Sequence, residues 1–100
     1  MSIEKDSLPV PDAAISDPEC REVVRAWVAN NGLHCSMRVL QWQPHVWGIV
    51  LSDIVRHVVE AEVEERGADA KKVTRTIVDK FMDEMCAFGE EIDASAKPKS

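Results

Sequence analysis

From Val24 to Val39 apolar and polar side chains alternate on both sides of a single Asn-Gly step, Asn31-Gly32. Both residue types tolerate positive φ, which the two central positions of a type I′ turn require, so the step predicts a β-hairpin. A loop at Asn31-Gly32 pairs Ala29 with His34, Val28 with Cys35, Trp27 with Ser36, Ala26 with Met37, Arg25 with Arg38 and Val24 with Val39. One face then carries Val24, Ala26, Val28, Leu33, Cys35, Met37 and Val39. The other carries Arg25, Trp27, Ala29, His34, Ser36 and Arg38. A slip of one residue would mix the two sets and bury charge.

Two helical patterns follow. Pro44 suits a first turn, where its missing N–H costs nothing, and Gly67 suits the position just past a helix end, so a helix is expected over 44–66. Trp47, Val50, Leu51, Ile54, Val55, Val58, Val59 and Ala61 cover an arc of about half its circumference, wide enough for two neighbours. The β-branched residues and Gly48 within Val46–Leu51 leave a short third strand as the alternative for that segment. Asp69 is placed to cap a second helix from Ala70 to about Phe88, with Val73, Ile77, Val78, Phe81, Met85 and Phe88 as its apolar stripe. Arg75–Asp79 and Lys80–Glu84 are i,i+4 ion pairs on its outer side.

The order strand, strand, helix, helix defines an α+β chain in which both helices pack on one face of the hairpin. With 100 residues it forms one domain over 19–88, preceded by an irregular, proline-bearing arm over 1–18 and followed by a flexible tail over 89–100. A two-stranded sheet is marginal by itself and exposes both edges. Pairing with a second copy, edge to edge, would extend the sheet and enlarge the core, so a homodimer is expected.

Charge and cysteine content narrow the setting. The net charge is −6, with residues 1–20 and 59–100 acidic and only 21–58, with four Arg against two acids, slightly basic. Without a basic stripe the chain is a poor partner for nucleic acid, whose affinity rests on phosphate neutralisation. The longest apolar run, Val46 to Leu51, is far short of the roughly 20 residues of a membrane span. Cys20, Cys35 and Cys86 are odd in number and widely spaced, and the first residues carry no secretory pattern, so free thiols and a cytoplasmic location are expected.

Four features carry candidate chemistry. On the polar hairpin face, Arg25 opposite Arg38 beside Trp27 and His34 offers planar guanidinium groups and an indole to a small carboxylate or phosphate. The simpler reading is that this face meets acidic groups of the chain or of a partner, with Trp27 as an anchor. Asp53, His57 and Glu60 lie on one side of the first long helix and form a weak metal candidate, although a solvated face of ion pairs accounts for the same spacing. Nucleophilic cysteine chemistry has little support: Cys35 falls on the apolar face as a small core residue, and Cys86 sits near a helix C-terminus, where the dipole disfavours a thiolate. Around Trp42-Gln-Pro-His-Val-Trp47 a hydrophobic entry turn is favoured over a ligand pocket.

The residues Arg25-Ala26-Trp27, Gly32-Leu33-His34, Trp47-Gly48 and Asp53-Ile-Val-Arg56-His57 together make the chain resemble a family of short, uncharacterised bacterial proteins, a domain of unknown function. The likeness spans roughly 18–57 and continues more weakly through the second helix. It implies a bacterial origin and a hairpin-and-helix α+β fold, and it brings no catalytic residues to carry over. The reading that emerges is a small cytoplasmic interaction module, homodimeric, needing no cofactor and without catalytic activity. The alternative is a small-anion binding protein built on Arg25, Trp27, His34 and Arg38, and an enzyme ranks behind both.

Overall fold

A tight turn with two consecutive left-handed residues shapes the first half of the chain. The computed structural model describes residues 3–96. The chain divides into two units, Met1–Trp42 and Gln43–Ser100. The architecture is α+β: a two-stranded antiparallel hairpin followed by two long helices.

In the first unit, the arm is not wholly irregular. It holds a single 3-10 turn at Ile3–Asp6 and a one-turn helix, α1, at Asp12–Ile15. Pro11 starts α1 because its own carbonyl accepts from the Ala14 and Ile15 amides (3.0 and 3.1 Å), while its missing N–H is not needed there. Asp17 closes the next bend with its side chain, accepting from the Glu19 amide at 2.8 Å.

The hairpin pairs β1 (Val24–Ala29) with β2 (Gly32–Met37). Its loop lies one residue earlier than the Asn-Gly step suggested. Asn30 and Asn31 take the two positive φ values, 51° and 61°, and Gly32 enters the strand. The pairs are Ala29 with Gly32, Val28 with Leu33, Trp27 with His34, Ala26 with Cys35, Arg25 with Ser36 and Val24 with Met37. Arg25 therefore does not face Arg38. The observed register avoids the like-charge opposition that an Asn31-Gly32 loop would impose. It keeps the expected division of faces, because a shift of one in loop position moves the partner by two. That is why side-chain alternation cannot tell the two registers apart. Pairing continues one step past β2, where the Arg38 amide donates to the Val23 carbonyl at 2.9 Å.

Exposure on the hairpin departs from a half-buried sheet. Val28, Leu33 and Met37 are exposed on the apolar face, and Cys35, expected there as a small core residue, is exposed too. Trp27, on the polar face, is half-buried.

In the second unit, α2 spans Pro44–Arg66, so Val46–Leu51 is helix and not a third strand. The segment's apolar residues are in phase with the helical arc that continues to Ala61, and that continuity outweighs β-branching in a six-residue stretch. Gly67 ends α2 at φ 63°, with its amide on the Val63 carbonyl (3.0 Å) and the Ala68 amide on the Glu62 carbonyl (3.4 Å). These two nested bonds satisfy carbonyls the helix end would otherwise leave open.

Asp69 caps α3 (Ala70–Ala96), its Oδ1 accepting from the Lys72 amide at 3.1 Å. The helix runs on through Gly89 to Ala96, eight residues beyond the stop expected at Phe88. A lone glycine costs about 1 kcal/mol in a helix, which good helix formers on either side readily offset. Of the two expected ion pairs, Lys80–Glu84 forms at 3.1 Å. Arg75 makes no ion pair with Asp79 or any other described residue.

The three-residue turn brings α3 back to pack on α2. Half-buried Val59 and Glu62 on α2, and Val73 and Ile77 on α3, lie near that turn. No described residue is buried.

Substituting Gly67→Ala places a Cβ at φ 63° and should destabilise the protein by about 1 kcal/mol. Gly48 in α2 has open space at the position of a Cβ, so Gly48→Ala should stabilise by a similar amount. Urea unfolding followed by helical circular dichroism measures both, and shifts of the same sign in the two variants would contradict this account.

Candidate functional site

The polar hairpin face comes from alternation in β1 and β2, which turns Arg25, Trp27, His34 and Ser36 to the same side. The corrected register puts Trp27 directly across from His34. His34 Nε2 lies 3.0 Å from the Ala29 carbonyl oxygen, an interaction that orients the imidazole beside the loop and is satisfied by the Nε2–H tautomer.

The two guanidinium groups converge on one residue from different sides. Arg25 donates through Nε (3.2 Å) and Nη2 (3.1 Å) to the same Glu22 carboxylate oxygen. Arg38 donates through Nε to the Glu22 backbone carbonyl at 3.3 Å. Glu22 thus supplies the carboxylate that the sequence reading assigned to the chain's own acids or to a ligand. The ion pair is about half exposed on both sides, 52% and 59%, so solvent screens it and its contribution to stability is small. Arg25, Trp27, His34 and Arg38 are therefore neighbours on or beside one hairpin. Only Trp27 and His34 form a cross-strand pair.

The Asp53, His57 and Glu60 side of α2 is resolved into local side-chain contacts. Arg56 Nη1 lies 3.4 Å from Asp53 Oδ1, and His57 Nδ1 lies 3.9 Å from Glu60 Oε2. Among the described residues, no three His, Cys, Asp or Glu side chains gather as a metal-binding group. Trp42 and Trp47 are half-buried, while His45 is exposed. Cys20, Cys35 and Cys86 are exposed free thiols.

A feature that residue-by-residue reading missed lies toward the end of α3. Phe88, Glu91, Ile92 and Ser95 line a shallow, open hollow on the helix surface. The signal was present in the apolar spacing, which continues past Phe88 to Ile92 into the segment read as a tail. No described helix is long and apolar enough to cross a membrane.

Two comparisons place the chain among known proteins. It is similar to a solved structure described as a putative pyruvate dehydrogenase from the photosynthetic bacterium Rhodopseudomonas palustrus CGA009. The two share 28% identity and a TM-score of 0.65 over 80% of this chain and 93% of that one. No curated protein matches. The sequence profile of a domain of unknown function, DUF5076, matches residues 7–87, most of the chain. The hairpin, both long helices' packed ends and the polar face all fall within that match, and the chain belongs to the DUF5076 family.

Proposed function

We propose that this chain is a small interaction module that works as a homodimer in a bacterial cytoplasm, without catalytic activity of its own. The observation that carries this reading is the state of its apolar side chains. Among the described residues none is buried, while eighteen large hydrophobic residues are exposed. Isolated exposed apolar residues are ordinary, but contiguous ones mark surfaces that another molecule covers. The sheet adds a second reason. With two strands it leaves an open edge on each, and pairing one edge with its counterpart in a second copy would extend it. Three exposed free cysteines suit a reducing compartment.

The dehydrogenase description of the similar structure does not displace this reading. It belongs to that protein, and the polar groups on the hairpin here are engaged in ion pairs and backbone contacts that need no substrate to explain them. The alternative, a small carboxylate or phosphate held by Arg25, Trp27, His34 and Arg38, draws support from one observation. Both guanidinium groups already gather around a carboxylate-bearing residue beside the Trp27–His34 pair. A ligand there would have to displace the Glu22 carboxylate from Arg25.

Light scattering on the full chain at micromolar concentration should give twice the 11.2 kDa of one copy, and a monomer mass overturns the homodimer. For the anion reading, inorganic phosphate should raise the melting temperature of the protein and lose that effect in Arg25→Ala. The absence of any phosphate response, or an undiminished response in that variant, removes it.

A further inference from the structure

The apolar stripe of α3 has two parts that face different ways. Val73 and Ile77 are half-buried toward the α2 turn. About a quarter turn round the helix, Val78, Phe81, Met85, Phe88 and Ile92 follow one another at spacings of three and four residues, the repeat of a helix–helix seam. Their exposures are 44%, 46%, 44%, 52% and 50%, and adjoining Met82 is 54% exposed. Side chains of this size, each about half in water, leave roughly 500 Å² of mainly apolar surface on α3, the larger part of the about 800 Å² per partner that a stable interface buries.

Charge along the same helix specifies what covers this seam. Residues 70–82 carry four bases and one acid, whereas residues 83–96 carry five acids and no base. A parallel neighbour of the same sequence would set base against base and acid against acid. An antiparallel one centred near Met85 sets Arg75 and Lys80 against the acidic stretch from Glu90 to Asp93, and also opposes the two helix dipoles.

We infer that α3 pairs antiparallel with α3 of a second copy along Val78, Phe81, Met85, Phe88 and Ile92, with the two-fold axis beside Met85. This rests on the homodimer proposed above and names its interface. The register is over-determined. Val78 with Ile92, Phe81 with Phe88 and Met85 with itself all share nearly one midpoint, as an isologous contact requires. Gly89, with open space where a Cβ would stand, comes opposite Met82 of the second copy. Arg75 and Asp93 are eighteen residues apart, five full turns, so they project from the same edge of the seam. Their midpoint falls at Glu84, next to the axis, so Arg75 of each copy meets Asp93 of the other. Within the chain neither side chain pairs with another described residue. Edge pairing of the hairpin alone would leave this apolar seam in water.

The test uses the full chain with Cys20, Cys35 and Cys86 changed to Ser. Val78→Cys mixed with Ile92→Cys, after exchange of subunits and mild oxidation, should give a cross-linked dimer joining the two variants. Val78→Cys alone should give little. Cross-linking of Val78→Cys to itself in preference to Ile92→Cys would mean a parallel arrangement and overturns the inference. In parallel, Arg75→Asp and Asp93→Arg should each weaken dimerisation about tenfold, and the double swap should recover most of it. Met85→Asp should yield a monomer that keeps its helical circular dichroism. A wild-type dimer that survives Met85→Asp and shows no 78–92 cross-link overturns the α3 interface and leaves the homodimer standing through another surface. A wild-type monomer overturns both.

Discussion

Apolar surface left in water is the constraint on which the rest of this protein depends. The hairpin turn, the stop at the end of α2 and the cap at the start of α3 are all in place. Among the described residues no side chain is buried. Water therefore remains in contact with Val, Ile, Leu, Met and Phe side chains along the hairpin and both long helices, and each would gain on the order of 1.5–3 kcal/mol from full burial. Local hydrogen bonding does not supply that gain, because the backbone of an exposed helix or hairpin merely exchanges water for itself.

The punctuation that holds each element is inexpensive and specific. Asn30 and Asn31 accept left-handed backbone where other residues resist it, and they set the hairpin register. Gly67 and Asp69 stand two residues apart and serve the two helix ends on either side of one turn: the glycine allows the carbonyls of α2 to be satisfied, and the aspartate satisfies an amide of α3. Ion pairs add little by comparison. Those of α2 and α3 lie in solvent, as does Arg25–Glu22 on the hairpin, and they steer side chains more than they stabilise the fold.

The functional reading follows the same physics. The polar groups of this chain sit in the open, some paired with a near neighbour, while apolar residues on α3 follow one another at helical spacing. Seams recognise other helices and strands through shape and spacing, and charge distributed unevenly along a helix selects orientation. The DUF5076 profile covers the hairpin, α2 and most of α3, up to residue 87, so this combination of elements is the unit the family shares.

Much of the local structure was legible because its signals are local. Pro44, Gly67 and Asp69 marked helix boundaries through backbone chemistry that acts within a few residues, and alternation from Val24 to Met37 marked the two faces of the hairpin. The register was not legible. Asn30-Asn31 and Asn31-Gly32 give the same division of faces, and the choice between them depends on cross-strand partners: Arg25 meets Ser36 in one and Arg38 in the other. The end of α3 was not legible either, since residues 89–100 read as a tail whereas the helix continues through Gly89 to Ala96. For the polar face, residue types alone suggested a pair of arginines awaiting an anion, and only the folded geometry revealed that Glu22 serves both. Sequence by itself thus determined which segments become strand or helix and which residues share a face, because those depend on periods and propensities along the chain. Tertiary structure decided who faces whom and what stays in water, because those depend on contacts between residues far apart in sequence, which no periodicity encodes.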